Sequence, residues 1–190
     1  MAVEIEAKIK VDTHEDLRAR LHAVGGERRG RVLETNWIFD DAQRSLLATG
    51  RGLRVRDHRT LDGPDRPPTL TYKGTVRSGS LKTRDEVELT VSDAADARSL
   101  LAALSFTVAL SFEKRRESWG LGRCHVELDE VPHLGCYVEV EGPDDQAVRE
   151  ALDRLGLADR PVIAESYIAL LVEHARQHGL PTDRIAFPPG

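Results

Sequence analysis

Residues 3–11 read Val3-Glu4-Ile5-Glu6-Ala7-Lys8-Ile9-Lys10-Val11, a strict alternation of apolar and charged side chains. A period of two places Val3, Ile5, Ala7, Ile9 and Val11 on one face of a β-strand and Glu4, Glu6, Lys8 and Lys10 on the other. Taken alone, such a segment is most simply a half-buried strand with one solvated face. The pattern recurs along the chain, however. Leu53 and Val55 alternate with Arg54 and Arg56, and Tyr72 with Lys73. Val87, Leu89 and Val91 oppose Glu86 and Glu88. Val126 and Leu128 oppose His125, Glu127 and Asp129, and Val138 and Val140 oppose Glu139 and Glu141. The charges come as like-signed pairs at i, i+2, which share a face and repel one another, and a solvated face gains nothing from that. Their sign alternates along the chain, acidic, basic, acidic, basic, acidic, until the last two strands, which are both acidic.

Working outward, the periodicity predicts strands over 3–11, 32–40, 52–57, 69–75, 81–91, 106–119, 124–131 and 136–141, with short turns between the later ones and hence antiparallel pairing. Four amphipathic helices are predicted between and after them. The first spans 13–24, capped by Asp12 or Thr13 and stopped by Gly25-Gly26. The others span 93–104, 144–155 and 165–178, the last stopped by Gly179. These helices need apolar cover. If they take it from the apolar faces of the strands, the charged faces become the inside of a closed sheet, and eight strands suffice to close one. The expected fold is therefore α+β: an eight-stranded antiparallel β-barrel with a charged lumen and helices outside. Enclosed carboxylates need cations, and enclosed Arg and Lys need an anion. A polyphosphate with Mg²⁺ or Mn²⁺ supplies both, since hard divalent ions prefer carboxylate oxygens and Arg forks suit phosphate oxygens. In Phe112-Glu-Lys-Arg-Arg-Glu-Ser118 both faces are charged. Lys114 and Arg116 are assigned inward, against Glu113, Arg115 and Glu117.

Length and composition narrow the function classes. The chain has 190 residues, 40% of them hydrophobic and 31% charged. That suits one domain over 1–179 followed by a Pro-rich tail, 180–190, serving as a surface strap or frayed. A net charge of −5 and 5% aromatic residues argue against a nucleic-acid partner. Cys124 and Cys136 lack metal or redox spacing. The charged start Met1-Ala-Val-Glu-Ile-Glu6 predicts no secretory leader, and no apolar run approaches the ~18 residues of a membrane span. A cytoplasmic location without a membrane partner is expected. His174 and His178 lie at i, i+4 but lack the acid of HExxH. No Walker A loop is present, Ser166 has no neighbouring His, and Trp37 and Trp119 read as packing residues.

The N-terminal Glu4-Ile-Glu6-Ala-Lys8 is an ExExK motif. Together with Leu53-Arg-Val-Arg56, Tyr72-Lys-Gly74, Glu86-Val-Glu88, Lys114-Arg-Arg116, Leu128-Asp-Glu-Val131 and Gly135-Cys-Tyr-Val-Glu-Val-Glu-Gly142, it closely resembles the CYTH family of triphosphate tunnel metalloenzymes. That family includes class IV adenylyl cyclases, thiamine triphosphatases and inorganic triphosphatases. The resemblance runs from Glu4 to the Ser166-Tyr167 pair, and it implies the tunnel fold. It implies that Glu4, Glu6, Glu139 and Glu141, with Glu88 and Asp129 in support, hold one or two Mg²⁺ or Mn²⁺ ions. Lys8, Arg54, Arg56, Lys73, Lys114 and Arg116 hold the phosphates; Glu86 and Glu127 are further lumen candidates. On the same footing Glu4, Glu6, Lys8, Arg54, Arg56, Lys73 and Arg116 form the catalytic set, acting on a triphosphate-containing small molecule. Because barrels of this family commonly pair, a homodimer is compatible with the resemblance. Two departures stand out. Glu165 occupies a place where the family often carries a basic residue, so no phosphate contact is expected from the last helix. The His-Phe element that precedes ExExK in class IV cyclases has no counterpart in Met1-Ala-Val3, which favours a triphosphatase. A class IV cyclase converting ATP to cyclic AMP and pyrophosphate, and a non-catalytic polyphosphate- or nucleotide-binding module, are the alternatives.

Overall fold

The computed structural model describes residues 2–77 and 81–188, with side chains in the first strand from Ile5 onward. In chain order the elements are β1 (Ala2–Val11), α1 (Glu15–Ala23), β2 (Glu27–Asp40), α2 (Ser45–Ala48), β3 (Gly52–Asp62), β4 (Thr69–Lys73), β5 (Lys82–Thr90), α3 (Ala94–Ala103), β6 (Thr107–Leu121), β7 (Cys124–Val131), β8 (Gly135–Gly142), α4 (Asp145–Arg154), α5 (Tyr167–His178) and β9 (Arg184–Ile185). The strands follow the order β2-β3-β4-β5-β1-β8-β7-β6, and β2 also pairs with β6, which closes the sheet. Every pairing around this ring is antiparallel. The expected eight-stranded barrel is the one the chain forms.

The strands outrun their periodic stretches where pairing, not patterning, sustains them. β2 reaches back to Glu27 and β3 forward to Asp62 through mostly charged residues, because each finds backbone partners there. The short α2 carries no periodic signal; it is held by the Asp40 carboxylate, which accepts from the amides of Leu46 and Leu47 at 3.0 Å. At α1 the expected cap by Asp12 or Thr13 is replaced: His14 occupies the N-cap position without a side-chain cap bond. Its imidazole turns into the wall, with Nε2 2.9 Å from the Tyr137 carbonyl.

Two apolar clusters lie on the outer face. Ala7, Ile9, Val126, Leu128, Val138 and Val140 pack with Leu17 and Leu21 of α1 and Val148 and Leu152 of α4. Phe39 and Val55 pack with Ala94, Ala97 and Leu101 of α3. Burial of each such large side chain is worth about 1.5–3 kcal/mol. Helix α5 differs from α1, α3 and α4. It packs on Ile38, Leu110, Phe112, Val131 and Tyr137, which share strand parity with the inward-facing Asn36, Lys114, Asp129 and Glu139. It therefore covers the lumen side of the barrel at one end. Ser166 caps it by accepting from the amide of Ala169 at 3.2 Å, and Gly179, at φ 63°, ends it in the left-handed conformation. The tail behaves as a strap: β9 pairs in parallel with β6 at Ser111 and Phe112, and Ile185 joins the α5 cluster. Among the described residues no helix is long and apolar enough to cross a membrane.

Candidate active site

Closure brings the charged doublets into one lumen. Glu6 stands opposite Glu141, and Lys8 opposite Glu139, across β1 and β8. Glu127 stands opposite Glu139 across β7 and β8. Carboxylates thus line a continuous arc of three neighbouring strands. Cations are interleaved with them: Lys82 pairs with Glu6, Lys8 Nζ lies 3.5 Å from Glu139, and Arg116 Nη2 donates to Glu139 at 2.6 Å. Burial alone would raise the Glu139 carboxyl, but Lys114, Arg116 and Lys8 outweigh it and hold it well below the usual carboxylate range. Glu127 moves the other way, pushed up by burial against the pull of Arg116. Burial pulls the Lys8 ammonium down, and Glu139 opposes that pull.

The rest of the ring is richer in cations. Arg54 and Arg56 project from β3, Lys73 from β4, and Lys114 and Arg116 from β6. Arg54 donates to Thr71 at 3.1 Å and lies 3.5 Å from Glu88, while Thr71 donates to Glu88 at 2.8 Å. Lys73 lies 2.6 Å from Glu86. Burial and the neighbouring Arg56 charge lower the Arg54 guanidinium to about 10. Arg116 is opposed by burial, yet Asp129, Glu34 and Glu127 hold it well above its usual value. Lys114 is 2% exposed and Asp129 0%. Lys114 and Arg116 donate together to Asp129, at 3.0 Å and 2.7 Å. The inward assignment of these two residues is the observed one; Glu117 points outward, to Arg18, Arg28 and Trp119.

Tyr167, at the start of α5, floors this chamber. Its hydroxyl donates to Asp129 at 3.0 Å, and Lys8 Nζ sits 4.2 Å above its ring. Burial, with Asp129 and Glu139 nearby, pushes the phenol well above its usual range, so it stays a donor. Lys8 also donates to the Glu165 carbonyl at 2.9 Å. The last helix thus meets the site through backbone and ring, whatever side chain stands at 165.

Of the sequence-expected residues, Glu6, Lys8, Arg54, Arg56, Lys73, Lys114, Arg116, Asp129 and Glu139 share the lumen, with Glu88 and Glu141 at its exposed margins. The Glu4 side chain lies outside the described residues; its backbone pairs with Arg84. Sequence reading missed Glu34 and Asn36, both buried, as well as Thr71 and Lys82. Parity alone would have found Lys82, which shares a face with Glu86 and Glu88.

The residues suit a hard divalent ion by their chemistry. Two directly opposed carboxylate pairs, Glu6 with Glu141 and Glu127 with Glu139, are unfavourable as like charges. Glu127 also leaves Oε2 buried without a hydrogen-bond partner. Oxygen donors crowded in this way are what Mg²⁺ or Mn²⁺ prefers. Among the described residues no three such side chains already converge on a point. Ion pairs, chiefly those of Lys82 and Arg116, stand between them. Glu88 and Asp129 are engaged elsewhere, by Thr71 and Arg54 and by Lys114, Arg116 and Tyr167.

A closed antiparallel barrel with carboxylates and cations facing one another across its lumen defines a class of tunnel proteins with a charged interior. The CYTH domain family model matches residues 2–167, and the chain belongs to that family. It is similar to a Methanocaldococcus jannaschii protein, MJ0240, named provisionally as an adenylate cyclase, with 25% identity over 88% of this chain and 98% of that protein. It is also similar to adenylate cyclase CyaB of Aeromonas hydrophila, 26% identical over 88% of this chain and 87% of CyaB. Among solved structures it shares its fold with HpAC1 from Hippeastrum, a chain assigned to the adenylyl cyclases that reveals a dominant triphosphatase activity. That match has a TM-score of 0.67 and 16% identity over 95% of this chain and 97% of that one.

Proposed function

We propose that this chain is a divalent-metal-dependent phosphohydrolase that cleaves a triphosphate: inorganic triphosphate, or a nucleoside or thiamine triphosphate. One observation carries the reading. The lumen is divided, with opposed carboxylates on β1, β8 and β7 and a cationic wall on β3, β4 and β6. A triphosphate bridges the two walls. Arg54, Arg56 and Lys73 hold one stretch of its oxygens, and Lys8, Lys114 and Arg116 the other, each guanidinium offering a fork that matches two phosphate oxygens. Glu6, Glu139 and Glu141, joined by Glu127 and Glu4, would hold the metal. The chemistry a bound Mg²⁺ or Mn²⁺ supplies is neutralisation of phosphate charge and a more acidic water. Water attacks the terminal phosphorus in line, the bridging P–O bond breaks, and negative charge gathers on the departing oxygen. Arg116 and Lys114 would stabilise that charge, a role supported by their shared hold on Asp129 and the burial of Lys114.

A second reading, an adenylyl cyclase, is favoured by the names of both relatives. The same walls would then hold ATP while its ribose 3′-hydroxyl attacks the α-phosphorus and pyrophosphate leaves. Incubation with Mg²⁺ or Mn²⁺ and, separately, inorganic triphosphate, ATP and thiamine triphosphate separates these possibilities. Release of phosphate supports the hydrolase. Cyclic AMP with pyrophosphate establishes the cyclase. Binding without turnover marks a non-catalytic module. Glu6→Ala and Glu141→Ala are each expected to cut turnover about a hundredfold, as removals of electrostatic groups do. Full turnover in either variant overturns its metal role.

A further inference from the structure

Glu34, on β2, stands between the arginines of β3 and the cations of β6, within ion-pair reach of all three of Arg56, Lys114 and Arg116. It is 1% exposed. Its Oε2 lies 3.2 Å from Arg56 Nε and 3.4 Å from Lys114 Nζ, and its Oε1 lies 3.7 Å from Arg116 Nε. Oε2 makes no hydrogen bond of good geometry. Burial would raise this carboxyl, but Arg56, Lys114, Arg116 and Arg54 hold it well below the usual range, so it is an anion at neutral pH. Asn36, its neighbour on the same face, adds only a neutral acceptor, to Arg56 Nε at 2.8 Å.

We infer that Glu34 is a specificity-determining residue: a built-in counter-anion at the centre of the cationic wall, which admits highly charged condensed phosphates and rejects orthophosphate and other small anions. This rests on the triphosphate-binding reading above. A small anion entering here must share Arg56, Lys114 and Arg116 with a carboxylate that cannot leave. It gains cations already half neutralised and acquires a like charge a few ångströms away, which repels it. A triphosphate meets the same repulsion at one of its groups only. Its other groups reach Lys73 and Lys8, on β4 and β1, whose ion pairs are with Glu86 and Glu139, so its net gain stays favourable. Discrimination then comes from a repulsive element placed inside the site, and a stronger attractive one is not needed.

Calorimetric titration in the presence of EDTA tests this with sodium tripolyphosphate, pyrophosphate and orthophosphate as probes. The full chain should bind tripolyphosphate far more tightly than orthophosphate. Glu34→Gln, which keeps the shape and the acceptor, should tighten both and narrow the ratio of the two affinities by about tenfold or more, because the like-charge juxtaposition it removes weighs most on the small anion. Glu34→Asp should keep the wild-type ratio, whereas a merely structural role would make both substitutions weaken every anion alike. Asn36→Asp, near-isosteric, adds a second carboxylate beside Arg56 and should widen the ratio; it decides the matter if Glu34→Gln does not fold in a thermal melt. Glu130→Gln, an equal charge change outside the barrel, should move nothing. An unchanged ratio in folded Glu34→Gln, or in Asn36→Asp, overturns the role of Glu34 alone. Failure of the wild-type chain to bind any of the three probes, both in EDTA and in a repeat titration with Mg²⁺, overturns the triphosphate reading itself.

Discussion

Arg116 and Glu117 are adjacent in β6 and have opposite fates. Arg116 points into the lumen, to Asp129 and Glu139. Glu117 is buried on the outside, where it accepts from Arg18 Nε at 3.0 Å, Arg28 Nε at 3.2 Å and Trp119 Nε1 at 3.1 Å. The arginines are more than a third exposed, so their share of the stabilisation is largely screened. The fully buried Trp119 N–H is another matter, because Glu117 is its acceptor. Glu117→Ala should cost about 2 kcal/mol by orphaning that donor, measurable in urea unfolding, while leaving triphosphate turnover unchanged. A loss of turnover with intact stability would place Glu117 in the site instead. The alternation assigns these two residues to opposite faces, and the surrounding charge pattern only suggests which face is inside. Glu34 escaped sequence reading for a related reason. Its face of β2 reads Val32, Glu34, Asn36, Ile38, which looks like neither a charged lumen nor an apolar wall.

At the level of elements, α1 and α5 show what a pattern of apolar residues leaves open. Both are amphipathic, yet α1 lies on the outer wall and α5 seals the lumen side, because Ile38, Leu110, Phe112 and Val131 give that end of the lumen an apolar lining. His14, at the start of α1, couples the helix to the wall through the Tyr137 carbonyl. Burial, with help from the Arg18 charge, lowers the pKa of its imidazole, partly offset by that hydrogen bond. A histidine held neutral in the fold but basic in the unfolded chain contributes stability that is complete above the unfolded pKa, about 6.5. That stability is lost as pH falls from there toward the lower folded value. Melting temperature should therefore drop between pH 7.5 and 5.5, and His14→Gln, which keeps a donor for Tyr137, should flatten that slope. An equally steep slope in the variant would assign the pH response to other groups. The acidic limb contributed by Glu34 and Glu139, both held well below the usual carboxylate range, lies lower still, setting in as pH falls below about 4.5.

For the molecule as a whole, the lumen charges are neutralised by one another, and ligands must reopen those pairs. Tripolyphosphate with Mg²⁺ should raise the melting temperature, by an amount equivalent to about 2.7 kcal/mol when ligand is a hundredfold above its dissociation constant. Chelation should return most of that gain. No shift with both ligands present would count against a lumen that binds them. The sequence by itself determined the centres of the eight strands, the division of each into two faces and the sign of the charges each carries. From these follow the closed barrel and most of its lining, because side-chain alternation is a local property of extended backbone. Only the tertiary structure decided that α5 seals one end from within, and that Glu34 sits among Arg56, Lys114 and Arg116. It also decided that Asp129 is consumed by Lys114, Arg116 and Tyr167, while Glu6 and Glu141 face each other. Those partnerships join strands far apart in the chain, and their distances are set by the register and stagger of the closed sheet, which no local pattern encodes.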